Sequence, residues 1–503
     1  MFGSVDACQV RAVEPLTTDR MGGVMQYPEL HLWIGDRALE RTESGESIPV
    51  INPADGTVLG MLPAAGPREI ESAVNAADRG FNRWSVIPAL DRFRILTKAT
   101  ALIRERCEAI AQTLTLEQGK PLAEARREIA LSADIIDFLA EEGKRLGGRE
   151  VAPRALNILT QSVRRVPVGP VAAFTPWNFP ANLPSRKLGG ALAAGCSVIV
   201  KPSEETPATC MELVRAFIDA GLPEGVLNLV CGSPSAIADA LIASPQVAKI
   251  SFTGSVAVGK ALAAQTAGRM KRYTMELGGH APVIVCADAD PGAAAALAVP
   301  AKFRNAGQVC AAPVRFLVHR SVYASFRDAF VSGTLALKVG SGLERGVQVG
   351  PLVHERRILE MQDLIADAMA QGGQLLCGGK RIDRPGYFFE PTVIEGAGLR
   401  ARVQREEPFG PIALIDVFDD LQEAISRANS LPYGLAAYAF THELATADRL
   451  GRELQAGMVG INHFGVSQPE TPFGGVKESG FGSESGLEGL LGYTDVKLVS
   501  VAS

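Results

Sequence analysis

Three side chains able to do covalent or acid–base chemistry stand where an apolar run gives way to a polar or glycine-rich loop. Cys310 closes KFRNAGQVC (302 to 310), behind a polar Asn-Ala-Gly-Gln turn. Most cysteines are buried and inert. Cys231, Cys286 and Cys377 fit that description by their apolar neighbours, so the polar approach sets Cys310 apart. Glu276, in MELGGHAP (275 to 282), sits at the end of an apolar strand and before two glycines. A carboxyl in such a place is poorly solvated, its pKa rises, and it suits a general base near neutral pH. Pairing with Lys271 or Arg272 is the competing expectation. Asn178, in FTPWNFP (174 to 180), is flanked by bulky or rigid residues, as a polar group with a fixed direction requires. Taken alone it reads as a turn cap.

Two further segments bear on nucleotide binding. FTGSVAVGKA (252 to 261) leaves a strand and enters a helix, where Gly254, Ser255 and Gly259 let backbone amides approach a phosphate. The spacing GxxxxGK matches a Walker A loop through Lys260. Ala261, however, stands where magnesium binding needs Ser or Thr, which argues against an NTPase. No GxGxxG follows a strand, so the ordinary Rossmann fingerprint is missing too. KPSEETP (201 to 207) lies at the end of the strand SVIV, where open α/β sheets place their ligands. Lys201 and Glu204 supply a cation and a carboxylate for the two hydroxyls of a ribose.

A large α/β framework must position these loops. From Arg68 to Arg145 apolar residues recur at helical spacing, and Gly-Lys-Pro at 119 to 121 separates two long helices. VAAF (171 to 174), SVIV (197 to 200), VLNLV (226 to 230) and KISF (249 to 252) are apolar throughout and spaced by helical segments. That pattern predicts a parallel sheet covered on both faces. A second series repeats the architecture: PVIV (282 to 285), RFLVH (315 to 319), PIALIDV (411 to 417), YGLAAYAF (433 to 440) and MVGIN (458 to 462). LNILTQSVRRVPV (156 to 168) and DVKLVSVA (495 to 502) alternate instead and look exposed. An unpaired edge of that kind needs a partner, so they predict an oligomerisation ribbon; a surface hairpin within one chain is the alternative.

Composition narrows the function. The 503 residues are 47% apolar, 21% charged and 6% aromatic, the profile of a soluble globular enzyme. Fifty basic against fifty-five acidic side chains leave a net charge of −5, which argues against a dedicated nucleic-acid binder. The eight cysteines form no CxxC and the six histidines no HExxH, so neither a disulfide scaffold nor a metal is expected. No run of 18 apolar residues predicts a membrane span. Residues 1 to 28 lack the apolar core of a secretory signal and carry Asp6, Glu14 and Asp19. They are expected to form an unstructured extension, with Met21 or Met25 as alternative starts, and the expected compartment is the cytoplasm.

PWNFP, KPSEETP, FTGS, MELGG, NAGQVC, EEPFGP (406 to 411) and PFGGVKESG (472 to 480), in this order and spacing, resemble the aldehyde dehydrogenase superfamily from about residue 30 to the C-terminus. The resemblance implies two open, twisted parallel-sheet α/β domains plus a small β ribbon. Residues 29–148 and 167–277 would bind NAD, 278–487 would carry catalysis, and 149–166 with 488–503 would build the ribbon of a homodimer or homotetramer. It makes Cys310 the nucleophile that forms a thiohemiacetal, with Asn178 and the Cys310 amide as oxyanion hole. Hydride then passes to nicotinamide, and Glu276 activates the water that hydrolyses the thioester. Relatives that use coenzyme A usually lack this Glu, so a free acid is the implied product. Lys201 and Glu204 are the implied adenosine-ribose contacts, Ser255 a pyrophosphate contact, and Glu407 with Phe409 the nicotinamide-ribose grip; Trp177, Ser203 and Gly254 are further implied cofactor contacts. Glu204 would repel a 2′-phosphate, which favours NAD over NADP.

Departures from the general family pattern suggest the substrate. Where relatives that oxidise apolar aldehydes line the tunnel with aromatics, this chain carries Arg186, Arg304 and Ser467. Succinate semialdehyde dehydrogenases have the same set, which would receive a carboxylate; an ordinary salt bridge is the competing expectation for either Arg alone. The alternatives are 2-oxoglutarate semialdehyde, a broad-specificity aldehyde dehydrogenase, and a non-catalytic homologue, although the last would be expected to have lost Cys310, Glu276 or Asn178. Some succinate semialdehyde enzymes carry a second Cys two residues after the nucleophile. Here that residue is Ala312, so no disulfide switch is expected.

Overall fold

The computed structural model describes residues 27–503. The first series of apolar runs builds an eight-stranded sheet. Its five central strands are parallel, in the order Arg272–Glu276, Lys249–Thr253, Val171–Phe174, Val198–Lys201 and Leu227–Leu229. Lys249–Thr253, Val171–Phe174 and Val198–Lys201 are buried at every position, as strands covered on both faces must be. Helices Ala89–Glu105, Leu122–Gly143, Asn182–Ala194 and Pro207–Asp219 share one core cluster, and Pro67–Trp84 and Pro234–Ala243 pack into another.

The second series builds a seven-stranded sheet, ordered Gln374–Cys377, Thr392–Glu395, Ile412–Phe418, Pro313–His319, Ala281–Val285, Ala436–Phe440 and Met458–Ile461. All neighbours are parallel except the first pair. Thr494–Ala502, Ile158–Pro167 and Arg149–Glu150 form a separate three-stranded ribbon whose two long strands pair antiparallel within the chain. Leu159, Val496, Leu498 and Val501 are exposed on it.

Three details differ from the sequence reading. The stretch from 68 to 145 folds as four helices rather than two, because the chain also breaks before Pro88 and at Arg106, whose backbone leaves the helical region. Gly480–Phe481, too short to carry a period-2 signal, pairs with Met275–Glu276 and so crosses back to the first sheet. Tyr27, assigned to the extension, belongs to the fold: its hydroxyl donates to buried Glu117 at 2.6 Å and its ring packs against the core. The rest of the predicted extension, residues 1 to 26, lies outside the described residues.

Candidate active site

The two sheets meet with opposite ends. Asn178, Lys201, Gly254 and Glu276 follow or close strands of the first sheet, at their carboxyl ends, where open α/β sheets bind ligands. Cys310 and Glu407 lie just before strands of the second sheet, at their amino ends. The linker Gly278-Gly279 passes between them with no room for side chains. A Cβ at Gly278 would stand 2.1 Å from a Glu407 carboxylate oxygen, and one at Gly279 would stand 2.8 Å from the Cys310 carbonyl.

The turn before Cys310 is not the solvated loop its polarity suggested. Asn305 and Gln308 are buried, and Asn305, Ala306 and Gly307 take three successive left-handed conformations. Their polar groups pin the strained turn. Asn305 Nδ2 donates to the Asn178 carbonyl at 3.0 Å, Gln308 Nε2 donates to the Asn305 carbonyl at 3.1 Å, and the Val353 amide donates to Gln308 Oε1 at 3.1 Å. The Asn178 loop is locked in the same way. The buried Lys120–Glu128 ion pair (2.5 Å) has its ammonium donating to the Asn178 carbonyl at 2.7 Å, while Glu128 accepts the Ala181 amide at 3.0 Å. The Asn178 side chain does not cap its own turn. Its Nδ2 donates to the Gln308 carbonyl at 3.1 Å, and its Oδ1 has no partner.

Glu276 is 2% exposed and neither carboxylate oxygen has a partner among the described residues. The two cations that competed for it are engaged elsewhere: Lys271 donates to the Ser244 carbonyl at 2.6 Å and Arg272 pairs with Asp495. Burial raises its carboxyl well above the usual range, reinforced by nearby Glu484 and opposed by Lys187 and Arg186. Burial likewise pushes the Cys310 thiol up to about 12, helped by the charges of Glu407 and Glu276 and opposed by the Ala311 amide and Arg186. That direction favours a protonated Cys310 in the free protein. Alkylation of Cys310 by iodoacetamide, followed by peptide mass spectrometry, should accelerate about tenfold per pH unit with no plateau before pH 9. A plateau below pH 8 would show a stabilised thiolate instead.

Cys310, Arg186, Arg304 and Ser467 line one cavity of about 780 Å³. Arg186 is 2% exposed, and no carboxylate approaches it within ion-pair distance among the described residues. Its guanidinium is held by neutral acceptors, Asn182 Oδ1 at 3.0 Å, Ser467 Oγ at 2.8 Å and Ser485 Oγ, with the Phe473 ring 4.7 Å from Cζ. The ordinary salt bridge is thus absent for Arg186. Arg304 also lacks one; it lies exposed with Cζ 5.7 Å from the centre of the Phe179 ring.

The residues assigned to the cofactor fall into three groups. Lys201 and Glu204 pair with each other at 2.5 Å, and the Gly232 amide donates to Glu204 at 3.3 Å. A ribose would have to share that pair rather than find two free groups. Ser203 instead donates to Glu205. Ser255 caps helix Val256–Ala267, with Gly254 before it; Gly259 faces inward, where a Cβ would meet Leu277 at 2.3 Å, so its role is packing and not phosphate approach. Glu407 accepts the Gly279 amide at 3.1 Å, and burial pushes its carboxyl up to about 7. The ring of Phe409, a residue at φ 42°, meets Trp177 edge-on with centroids 5.4 Å apart.

Sequence reasoning missed the Lys120–Glu128 pair and a second buried pair, Lys187–Glu484, whose ammonium also donates to Ser251 at 3.0 Å. A signal existed for the second. Arg186-Lys187 interrupts a helix that is buried at every position, and two adjacent cations there require partners.

The sequence model of the aldehyde dehydrogenase family matches residues 40–499. The chain is 48% identical to 4-(hydroxymethyl)benzenesulfonate dehydrogenase TsaD1 of Comamonas testosteroni, over 90% of this chain and 94% of that one. It is 41% identical to the NADP(+) succinate-semialdehyde dehydrogenase GabD of Escherichia coli, over 91% and 95%. The crystal structure of a succinate-semialdehyde dehydrogenase from Burkholderia pseudomallei superposes with a TM-score of 0.92 at 42% identity, covering 94% of this chain and 98% of that one.

Proposed function

Because this chain belongs to the aldehyde dehydrogenase family, an NAD(P)-dependent class acting on small aldehydes, we propose that it oxidises an aldehyde bearing an anionic group, succinate semialdehyde first among them, to the free acid. The observation that carries this reading is the buried Arg186 guanidinium, unpaired with any carboxylate among the described residues yet lining the cavity that contains Cys310. A buried charge with only neutral partners is costly, and an incoming carboxylate supplies the missing counter-charge.

The Cys310 thiol gives up its proton to solvent water and the sulfur adds to the aldehyde carbon. The free Nδ2 hydrogen of Asn178 and the Cys310 amide are assigned to the oxyanion. After oxidation of the adduct, Glu276 removes a proton from the water that attacks the thioester carbonyl, and the acid leaves as the Cys310 sulfur regains its proton. The Lys187–Glu484 pair lies beside Glu276 and offers that proton a next acceptor. Bound NAD(P) supplies the two-electron acceptor. The residues present fit it: a capped helix start at Ser255 for the pyrophosphate, the Lys201–Glu204 pair for a ribose, and the buried Glu407 carboxylate near the Cys310 loop. Glu204 favours NAD, since its carboxylate meets a 2′-phosphate with like charge. We also assign the ribbon to a homodimer or homotetramer, and the enzyme to the cytoplasm.

Arg186→Ala should raise KM for succinate semialdehyde roughly 10- to 100-fold, as loss of charge-assisted bonds of about 1.5–3 kcal/mol each implies, with butanal unaffected. Equal effects on both aldehydes would sink the carboxylate reading. In parallel, Glu204→Ser should shift the NAD/NADP ratio of kcat/KM toward NADP, and an unchanged ratio would remove Glu204 from cofactor choice. An aromatic sulfonate is the second reading. It is favoured by the TsaD1 similarity together with the Phe179, Phe464, Phe473 and Tyr438 rings on the cavity wall. In it 4-formylbenzenesulfonate outperforms succinate semialdehyde.

A further inference from the structure

The cavity wall carries more positive charge than one carboxylate needs. It holds Lys120, Arg127, Arg186 and Arg304 against Glu124 and Glu128, so four cationic side chains face two carboxylates. Lys120 and Glu128 neutralise each other at 2.5 Å. Arg186 stands alone at the buried end, where its charge reaches Glu276 and Cys310. The remaining three groups, Glu124, Arg127 and Arg304, lie within reach of one another's charge. Burial raises the Glu124 carboxyl, and Lys120, Arg304 and Arg127 all pull it back. Glu124 is committed to structure as well, because it accepts the Asn305 amide at 3.0 Å and so supports the turn before Cys310. One carboxylate therefore serves two outer guanidiniums, and one positive charge there has no counterpart.

Arg127 is the unexpected member. It lies on helix Leu122–Gly143, three residues after Glu124 and four before Leu131, so all three share the helix face that lines the cavity. Its neighbour Arg126 lies off that face and binds Glu108 at 2.7 Å, whereas Arg127 makes no ion pair among the described residues. Arg127 is itself exposed, so it can meet a ligand that enters this cavity from solvent.

We propose that Arg127 adds an outer anion contact to the receptor assigned to Arg186, Arg304 and Ser467, so that the enzyme prefers aldehydes carrying two anionic groups over those carrying one. Arg127 is thereby a specificity-determining residue. The inference rests on the reading of this cavity as the aldehyde site. It also explains why a cavity of about 780 Å³ serves a substrate class whose smallest member, succinate semialdehyde, fills only a fraction of it.

The test compares kcat/KM for butanal, succinate semialdehyde and the dianionic 2-(2-oxoethyl)succinate in the parent enzyme and in Arg127→Gln and Arg127→Lys. The dianion should be the best substrate of the parent. Arg127→Gln should lower its kcat/KM roughly tenfold and that of succinate semialdehyde less than threefold, leaving butanal unchanged; Arg127→Lys should recover most of the loss, and added salt should shrink it. A loss shared by butanal, or none with the dianion, overturns the outer contact. Should none of the three aldehydes be oxidised, the functional reading fails on its own. Calorimetry on Cys310→Ser then still decides the outer contact. Tricarballylate, the acid derived from the dianion, should bind roughly tenfold tighter than succinate, Arg127→Gln should abolish that difference, and equal binding in the parent overturns the inference.

Discussion

Replacing Glu276 by Gln should stop the enzyme after one turnover. A single equivalent of reduced cofactor per subunit should appear in a burst, followed by a steady-state rate roughly 10²- to 10⁴-fold below the parent, the usual contribution of a positioned general base. The reason lies in the surroundings of Glu276. Both oxygens are buried without a partner, and Lys271 and Arg272 are bound elsewhere, so a basic lone pair is available to a water. Gln keeps the volume and removes the base. Acylation of Cys310 proceeds while hydrolysis fails, and intact-mass spectrometry of the quenched enzyme should show the succinyl adduct. The pH dependence has a definite sign. Because burial raises this carboxyl, hydrolysis in the parent should climb with pH through an ionisation above the ordinary Glu range and level off where the carboxylate is fully formed. In Glu276→Gln that ionisation should vanish. Loss of activity with neither burst nor adduct would place Glu276 before acylation and refute the assignment.

The second large effect is expected at Asn178. Asn178→Ala should lower kcat by about 10²- to 10³-fold, or ~2.7–4 kcal/mol, the range for removing one preorganised oxyanion donor. One Nδ2 hydrogen is fixed on the Gln308 carbonyl at 3.1 Å, which aims the amide, while the loop carbonyl is held by both Lys120 and Asn305. The truncated side chain leaves those backbone anchors in place, so the fold should persist. Asn178→Asp should be at least as damaging, because it sets an anion where negative charge develops. The rate of Cys310 alkylation separates the roles: it should be unchanged in Asn178→Ala if the amide acts on the oxyanion, and a parallel fall would show that Asn178 acts on the thiol instead.

The residues assigned to this chemistry were legible because each sits at a sharp change of local character. Glu276 ends an apolar strand, Asn178 stands between Trp177 and Phe179, and Cys310 lies behind the polar Asn-Ala-Gly-Gln turn. Local pattern also located four central strands of the first sheet and five of the seven strands of the second, since runs buried on both faces have few polar positions to blur them; the partly exposed strand Gln374–Cys377 and its neighbour Thr392–Glu395 went unread. What local pattern misjudged was the meaning of polarity. Asn305 and Gln308 read as a solvated approach to Cys310 and are instead buried struts, satisfied by backbone groups from distant loops. Gly259 read as a phosphate contact and is a packing site against Leu277. Lys201 and Glu204 read as two free ribose ligands and are found bound to each other.

The sequence by itself determined the α/β architecture, the family, and the identities of Cys310, Glu276 and Asn178 as candidates, because these depend on periodicity and on short contiguous motifs. Only the tertiary structure decided which charges are free. Whether Glu276 is paired with Lys271, whether Arg186 has a carboxylate, and whether Arg127 faces the cavity while Arg126 faces Glu108 all depend on partners from 18 to 281 residues away. A charge acts on its neighbours through distance and burial, and sequence separation encodes neither.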